Sequence, residues 1–202
     1  MNKPASIRNT LVDVNDSVLI VIDMQDSFLD KYDDAKTQSI TAKVAWLIQI
    51  AQYLDVPIVA MGEDIDKVGS LTGVVCEALP KNTTIYSKDY FGMADNPEIF
   101  AALEATKRMT AILVGMETDV CVAQSALGLM KKGYQVVALK DAIATTEADE
   151  NTGLSRMHDA GAVISSVKAL YYEWMRSVHS CVALHENTKG LNGLKPPSCL
   201  VL

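Results

Sequence analysis

The chain has 202 residues, 49% hydrophobic and 21% charged, with 11 Gly and 6 Pro. That is room for one domain with a substantial core, and it excludes a collagenous, low-complexity or largely disordered chain. The 18 Lys and Arg against 25 Asp and Glu leave a net charge of −7 with no basic cluster, so no nucleic-acid partner is expected.

No apolar run approaches the ~18–20 residues that cross a bilayer, and the first ten residues lack a signal-peptide core, so neither a membrane span nor export is expected. Four cysteines, Cys76, Cys121, Cys181 and Cys199, are too sparse for a disulfide framework or a paired zinc site. Free thiols in a reducing, cytoplasmic compartment are the simplest reading.

In chain order, residues 18–22 form a short, β-branched apolar run ending at Asp23. Such unbroken runs suit strands buried on both faces of a parallel sheet. Ile40, Val44, Leu47, Ile48, Ala51 and Leu54 recur at three and four, which predicts an amphipathic helix. A strand follows at 57–61 and a weaker one at 83–86. Pro97 then opens a helix carrying Ile99 and Leu103. A strand at 111–114 precedes a helix marked by Val122, Ala126, Leu127 and Met130, closed by Lys131, Lys132 and Gly133. Next come a strand at 136–139, a helix through Leu154, Met157 and His158 ending at Gly161, and a strand at 162–164. Alternation of this kind predicts right-handed crossovers and a three-layer α/β/α sandwich. One domain is expected over 1–186. A tail over 187–202 is interrupted by Gly190, Gly193, Pro196 and Pro197.

Sites in open parallel sheets form beyond the carboxyl ends of the strands, so reactive side chains just past each run are the candidates. Asp23 follows the first run, Glu63 and Asp64 the second, Lys88 the weak third, and residues 115–121 the fourth. Thr118 or Asp119 is a good N-cap, which would put Cys121 in the first turn of a helix. There the helix dipole would lower the thiol pKa, and free N–H groups would receive an oxyanion. A lone cysteine is also an ordinary small hydrophobe, Asp23 a strand-end cap and Lys88 a surface lysine, so none is specific alone.

Taken together they are specific. An acid, a lysine and a cysteine at three strand ends, in that order, resemble the isochorismatase-like cysteine hydrolases. The resemblance is carried by residues 18–25, by Lys88 with Phe91, by the Gly115-x-x-Thr118-Asp119-x-Cys121-Val122 block and by Lys140-Asp141-Ala142. It spans about 16–172 and is strongest to the small, metal-free branch of uncharacterised hydrolases. It implies a Rossmann-like, mainly parallel sheet of about six strands and a catalytic triad of Asp23, Lys88 and Cys121. It also implies a non-proline cis peptide at Met116–Glu117, aiming the Glu117 N–H, with that of Cys121, at an oxyanion.

On this resemblance the chain is a C–N hydrolase acting on a small amide or ureido substrate through a thioester. Two other classes stay open: vinyl-ether hydrolysis of an isochorismate-like substrate, and a non-catalytic oligomeric scaffold or redox sensor built on Cys121. Gln25, Phe28, Met61, Glu63, Tyr90, Phe91 and Glu117 are the expected pocket walls. If Glu63 and Glu117 face the pocket, they favour a neutral or cationic substrate.

Metal-binding nicotinamidases of the superfamily carry an Asp-x-His and a further His after the second strand. This chain has Glu63, Asp64 and Asp66 there, and its first histidine is His158. No metal and no cofactor are expected. A homo-oligomer is expected, with Tyr171, Tyr172, Trp174 and Met175 as interface or core of the last helix. The ending Cys199-Leu200-Val201-Leu202 matches a prenylation box without a polybasic stretch beside it, and a docked tail is the alternative.

Overall fold

The computed structural model describes residues 10–149, 151–188 and 194–202. Six strands alternate with helices. They are β1 (Ser17–Ile22), α1 (Asp26–Leu29), α2 (Asp34–Tyr53), β2 (Ile58–Glu63), α3 (Ile65–Val68), α4 (Gly73–Ala78), β3 (Ile85–Lys88), α5 (Pro97–Ala105), β4 (Thr110–Met116), α6 (Ala123–Lys131), β5 (Gln135–Ala144), α7 (Asn151–Ala160), β6 (Val163–Ser165), α8 (Val167–Met175) and α9 (Val178–Asn187). The strands pair in the order β3-β2-β1-β4-β5-β6, every pair parallel. The expected α/β/α sandwich is therefore the architecture.

The unbroken apolar runs are explained by burial on both faces. From β1, Leu19 and Val21 join Val44, Leu47 and Ile48 of α2 and Leu170 and Trp174 of α8 in one core. Val18, Ile20 and Ile22 join Ile99 of α5, Ala126 and Leu129 of α6 and Met157 of α7 in the other. Successive side chains of a strand point to opposite faces, so a centre strand serves both layers. Tyr171, Trp174 and Met175 belong to the first core, with Trp174 Nε1 donating to Ser17 Oγ at 3.0 Å. Tyr172 stays exposed.

Three details depart from the sequence expectation. The third strand lies two residues later than 83–86, because pairing Ala60 with Ile85 and Glu63 with Lys88 draws Ser87 and Lys88 into the ladder. The fifth strand extends past 136–139 to Ala144 through a register shift opposite Leu113 and Gly115. Short helices α3 and α4 pack in the β2–β3 crossover, too brief to leave a periodic signal. The chain's last residues fold back on the domain: Trp46 Nε1 donates to the Leu194 carbonyl at 3.2 Å, and Leu200 is buried in the first core. Among the described residues no helix is long and apolar enough to cross a membrane.

Candidate active site

The order of strands reverses between β1 and β4, which is where a crevice opens beyond the carboxyl ends of a parallel sheet. Four side chains converge there from four strands. Asp23 directly follows β1 and takes a left-handed backbone conformation, φ 47°, which Asp tolerates better than most residues. Glu63 ends β2 and Lys88 ends β3. Cys121 follows β4.

The cysteine's helix start is wound more widely, and capped one residue earlier, than expected. Residues Thr118–Val122 make a wide π-type turn with Glu117 as its cap, and α6 begins only at Ala123. Neither Thr118 nor Asp119 caps it. The turn is closely flanked by its neighbours. Gly115 has φ +121°, and a Cβ on it would stand 1.8 Å from the Ile22 carbonyl oxygen, so β4 approaches β1 at a distance only glycine permits. From the other side, a Cβ on Gly153 would lie 2.8 Å from the Asp119 Cα, so α7 presses directly on the turn. The peptide bond between Met116 and Glu117 is cis.

Lys88 is the centre of the cluster. Its ammonium lies 2.9 Å from Asp23 Oδ2, 3.4 Å from Cys121 Sγ and 3.6 Å from Glu63 Oε2. The side chains of Lys88 and Asp23 are fully buried, while that of Glu63 is 30% exposed. The thiol is also within 3.8 Å of Glu63 Oε2. One ligand atom each from Asp23, Glu63 and Cys121 lie within 4.8 Å of one another, a spacing that would suit a cation. The Lys88 ammonium touches all three and is itself that cation.

Burial pushes the Asp23 carboxyl up to about 6, against the opposing charge and hydrogen bond of Lys88. Burial also pushes the Cys121 thiol up to about 12, with the Asp23 charge adding to it and Lys88 resisting. Burial works to lower Lys88, yet the Asp23 charge and hydrogen bond outweigh it and its pKa is raised. The resting thiol is thus protonated beside an ammonium–carboxylate pair. Cys121 does lie in the first turn of the helical segment that runs on as α6, but burial and the Asp23 charge outweigh that position, so the thiol is raised rather than lowered.

The expected wall residues divide by position. Gln25 is buried and its amide is fully engaged with backbone: Nε2 donates to the carbonyls of Glu63 at 2.9 Å and Gly69 at 2.6 Å, and Oε1 accepts from Glu63 N–H at 2.7 Å. It holds the end of β2 rather than presenting a free amide. Met61 is buried in the same apolar core as Cys121. Tyr90 and Phe91 are half exposed or more, and the Phe91 ring centroid stands 5.9 Å from Lys88 Nζ. Phe28 is half-buried, with Lys31 Nζ 4.7 Å from its ring centroid. Glu117 is already paired, its Oε1 3.2 Å from Lys31 Nζ. Asp64 pairs with Lys67 at 2.6 Å, and Asp66 is exposed.

Two residues escape sequence reasoning. Lys31, eight residues beyond Asp23, carries no motif, and only the fold brings it to Glu117. Asn96 is buried; its Oδ1 accepts from the N–H groups of Asp89 and Tyr90, and its Nδ2 donates to the Tyr90 and Gly92 carbonyls at 3.2 and 2.9 Å. It braces the loop that leaves Lys88. The Asn-Pro pair reads in sequence only as a helix start.

Comparison with known proteins places the fold. The family model for the isochorismatase domain matches residues 17–169. The isochorismatase family protein 1A of Dictyostelium discoideum is 28% identical over 166 residues, covering 79% of this chain and 78% of that protein. Among solved structures, the YcaC gene product from Escherichia coli, described as an octameric hydrolase of unknown specificity, superposes with a TM-score of 0.79 at 23% identity, over 92% of each chain. The N-carbamoylsarcosine amidase from Thermoplasma acidophilum superposes with a TM-score of 0.65 at 16% identity, over 75% of this chain and 96% of that one. At these identities the solved structures establish the fold.

Proposed function

The chain belongs to the isochorismatase family, and from that premise we propose that it is a hydrolase cleaving the C–N bond of a small amide or ureide through a thioester on Cys121. The observation that carries this reading is the contact of one buried ammonium, Lys88, with both the Asp23 carboxylate at 2.9 Å and the Cys121 sulfur at 3.4 Å.

In the proposed cycle Asp23 accepts the thiol proton as sulfur attacks the carbonyl carbon. Lys88 holds the emerging thiolate by charge, which offsets the desolvation that keeps the free thiol protonated. The N–H groups of Glu117 and Cys121 receive the oxyanion. Collapse expels ammonia or amine, which takes the proton from Asp23 and leaves the acyl or carbamoyl thioester. Water then attacks the thioester carbon and gives its proton to Asp23. As the C–S bond breaks, that proton returns to sulfur and the acid is released. Phe28, Glu63, Tyr90 and Phe91 are the proposed surroundings of the substrate, with buried Gln25 and Met61 as the layer behind them.

The other readings fit less well. A dianionic, isochorismate-like substrate would meet the Glu63 carboxylate 3.8 Å from the sulfur. A redox sensor needs a ready thiolate, whereas burial pushes this thiol up to about 12.

We read the protein as a cytoplasmic homo-oligomer. All four cysteines are free, which supports a reducing compartment, and the octameric assembly of the E. coli YcaC structure supports the oligomer.

The test is ammonia release from a panel of amides and ureides by the wild type and by Cys121→Ala and Asp23→Asn separately. Both variants are expected to be inactive, and a Cys121 acyl adduct is expected by mass spectrometry of the wild type. Retained hydrolysis in either variant would overturn the scheme.

A further inference from the structure

Two carboxylates, Asp23 and Glu63, share one ammonium at the thiol. Asp23 takes the nearer place on Lys88, 2.9 Å against 3.6 Å for Glu63, and the Cys121 thiol brings Glu63 a hydrogen bond at 3.8 Å but no positive charge. Outside the cluster, Glu117 at the head of the cysteine turn is answered by Lys31 at 3.2 Å, and Asp119 follows it in the turn. Within the cluster one negative charge is therefore left over, and it belongs to the most exposed of the four side chains, Glu63, at 30% exposure. The backbone that carries it is held, because Gln25 clamps both the N–H and the carbonyl of Glu63 from a fully buried site. The half-exposed Phe91 ring lies on the same ammonium at 5.9 Å. The chain already shows how such a pair holds a cation: Lys31 Nζ sits 3.2 Å from the Glu117 carboxylate and 4.7 Å from the Phe28 ring centroid.

We propose that Glu63 is the specificity-determining residue of this site and that it receives a cationic group, an ammonium, guanidinium or amidinium, carried by the substrate close to the carbonyl that Cys121 attacks, with Phe91 as the aromatic side of the seat. The substrate class is then a small amide or ureide bearing a positive charge within a few bonds of the scissile C–N bond. The assignment of a substrate rests on the hydrolase reading. The charge selection at the thiol does not, and the two are separable by experiment.

The experiment measures modification of Cys121 by three methanethiosulfonates: trimethylammonioethyl (cationic), sulfonatoethyl (anionic) and methyl (neutral). Each forms a mixed disulfide with the cysteine sulfur and releases methanesulfinate, so no hydrolase activity is needed. Rates are followed on the Cys121 peptide by mass spectrometry and divided by the neutral rate, which cancels changes in thiol reactivity. The wild type is expected to prefer the cation over the anion by about tenfold or more at low salt. Glu63→Gln is expected to bring that ratio to within about threefold, and added salt to compress it. Glu98→Gln, on exposed α5 surface, changes net charge equally and is expected to leave the ratio alone. A flat ratio in the wild type, an unchanged ratio in Glu63→Gln, or an equal drop in Glu98→Gln would each overturn the assignment.

In parallel, glycinamide, propionamide and succinamate are compared by ammonia release. Faster turnover of the cationic amide, lost in Glu63→Gln, supports the substrate class. Release without charge preference overturns the role of Glu63 and leaves the hydrolase standing. A steep thiosulfonate ratio with no hydrolysis of any amide overturns the hydrolase and leaves Glu63 as the charge selector.

Discussion

Lys88 and Asp23 form an ion pair at 2.9 Å with neither side chain reaching solvent. Two charges this deep are tolerated because each is the other's counterion, and taking one away leaves the other stranded. Stability and proposed chemistry therefore depend on the same contact.

The first consequence is thermodynamic. Lys88→Met is expected to lower unfolding free energy by about 3–5 kcal/mol, because the Asp23 carboxylate loses its partner inside the protein. Urea denaturation at pH 7 measures it. The loss should shrink toward pH 5, where a stranded Asp23 takes up a proton and sheds its charge. A loss below about 1 kcal/mol, typical of an exposed pair, would contradict the burial.

A pH profile follows from the direction of the Asp23 shift. Burial raises its carboxyl to about 6. Below that pH the group already carries a proton and cannot take the thiol's, so kcat/KM is expected to fall on the acid side with an apparent pKa near 6, a value belonging to the coupled cluster. The negative charge of Glu63 contributes to raising Asp23, so Glu63→Gln should move this limb to lower pH. A limb that moves upward in that variant would refute the coupling.

Gly115→Ala tests the strand approach. The added Cβ would stand 1.8 Å from the Ile22 carbonyl oxygen, at a φ of +121° that an L side chain rarely adopts. Neither atom is a flexible chain end, so β1 and β4 must part. We expect a loss of about 4 kcal/mol or more, or failure to fold, read by thermal unfolding and soluble yield. Gly133→Ala, at an open position with φ +94°, isolates the cost of the backbone conformation alone and should be far milder.

Asn96→Ala tests the brace behind Lys88. It removes a buried amide that accepts from Asp89 and Tyr90 and donates to Tyr90 and Gly92. A stability loss of about 1–3 kcal/mol is expected from the unpaired backbone groups. Because the loop carries Phe91 and follows Lys88, KM and kcat should both worsen, and hydrogen exchange at Tyr90 should quicken. Unchanged exchange there would show that the loop is held by other contacts.

The amino-acid sequence by itself determined the architecture and named all four members of the cluster as candidates, Glu63 among the pocket walls. Runs such as 18–22 are apolar at every position because both faces of the sheet are covered, and that pattern survives in one dimension. Asp23, Lys88 and Cys121 are legible because strand ends are legible, and a parallel sheet gathers its strand ends at one edge. The tertiary structure decided what depends on distance and solvent. Helix-start reasoning gives Cys121 a lowered pKa, whereas the fold buries that start between β1 and α7, and burial raises the thiol instead. Glu63 and Glu117 look alike in sequence. Only the fold sets Lys31 against one and leaves the other facing the sulfur. Coulomb and desolvation energies follow spatial separation and water access, and neither quantity is written in the spacing of residues along a chain.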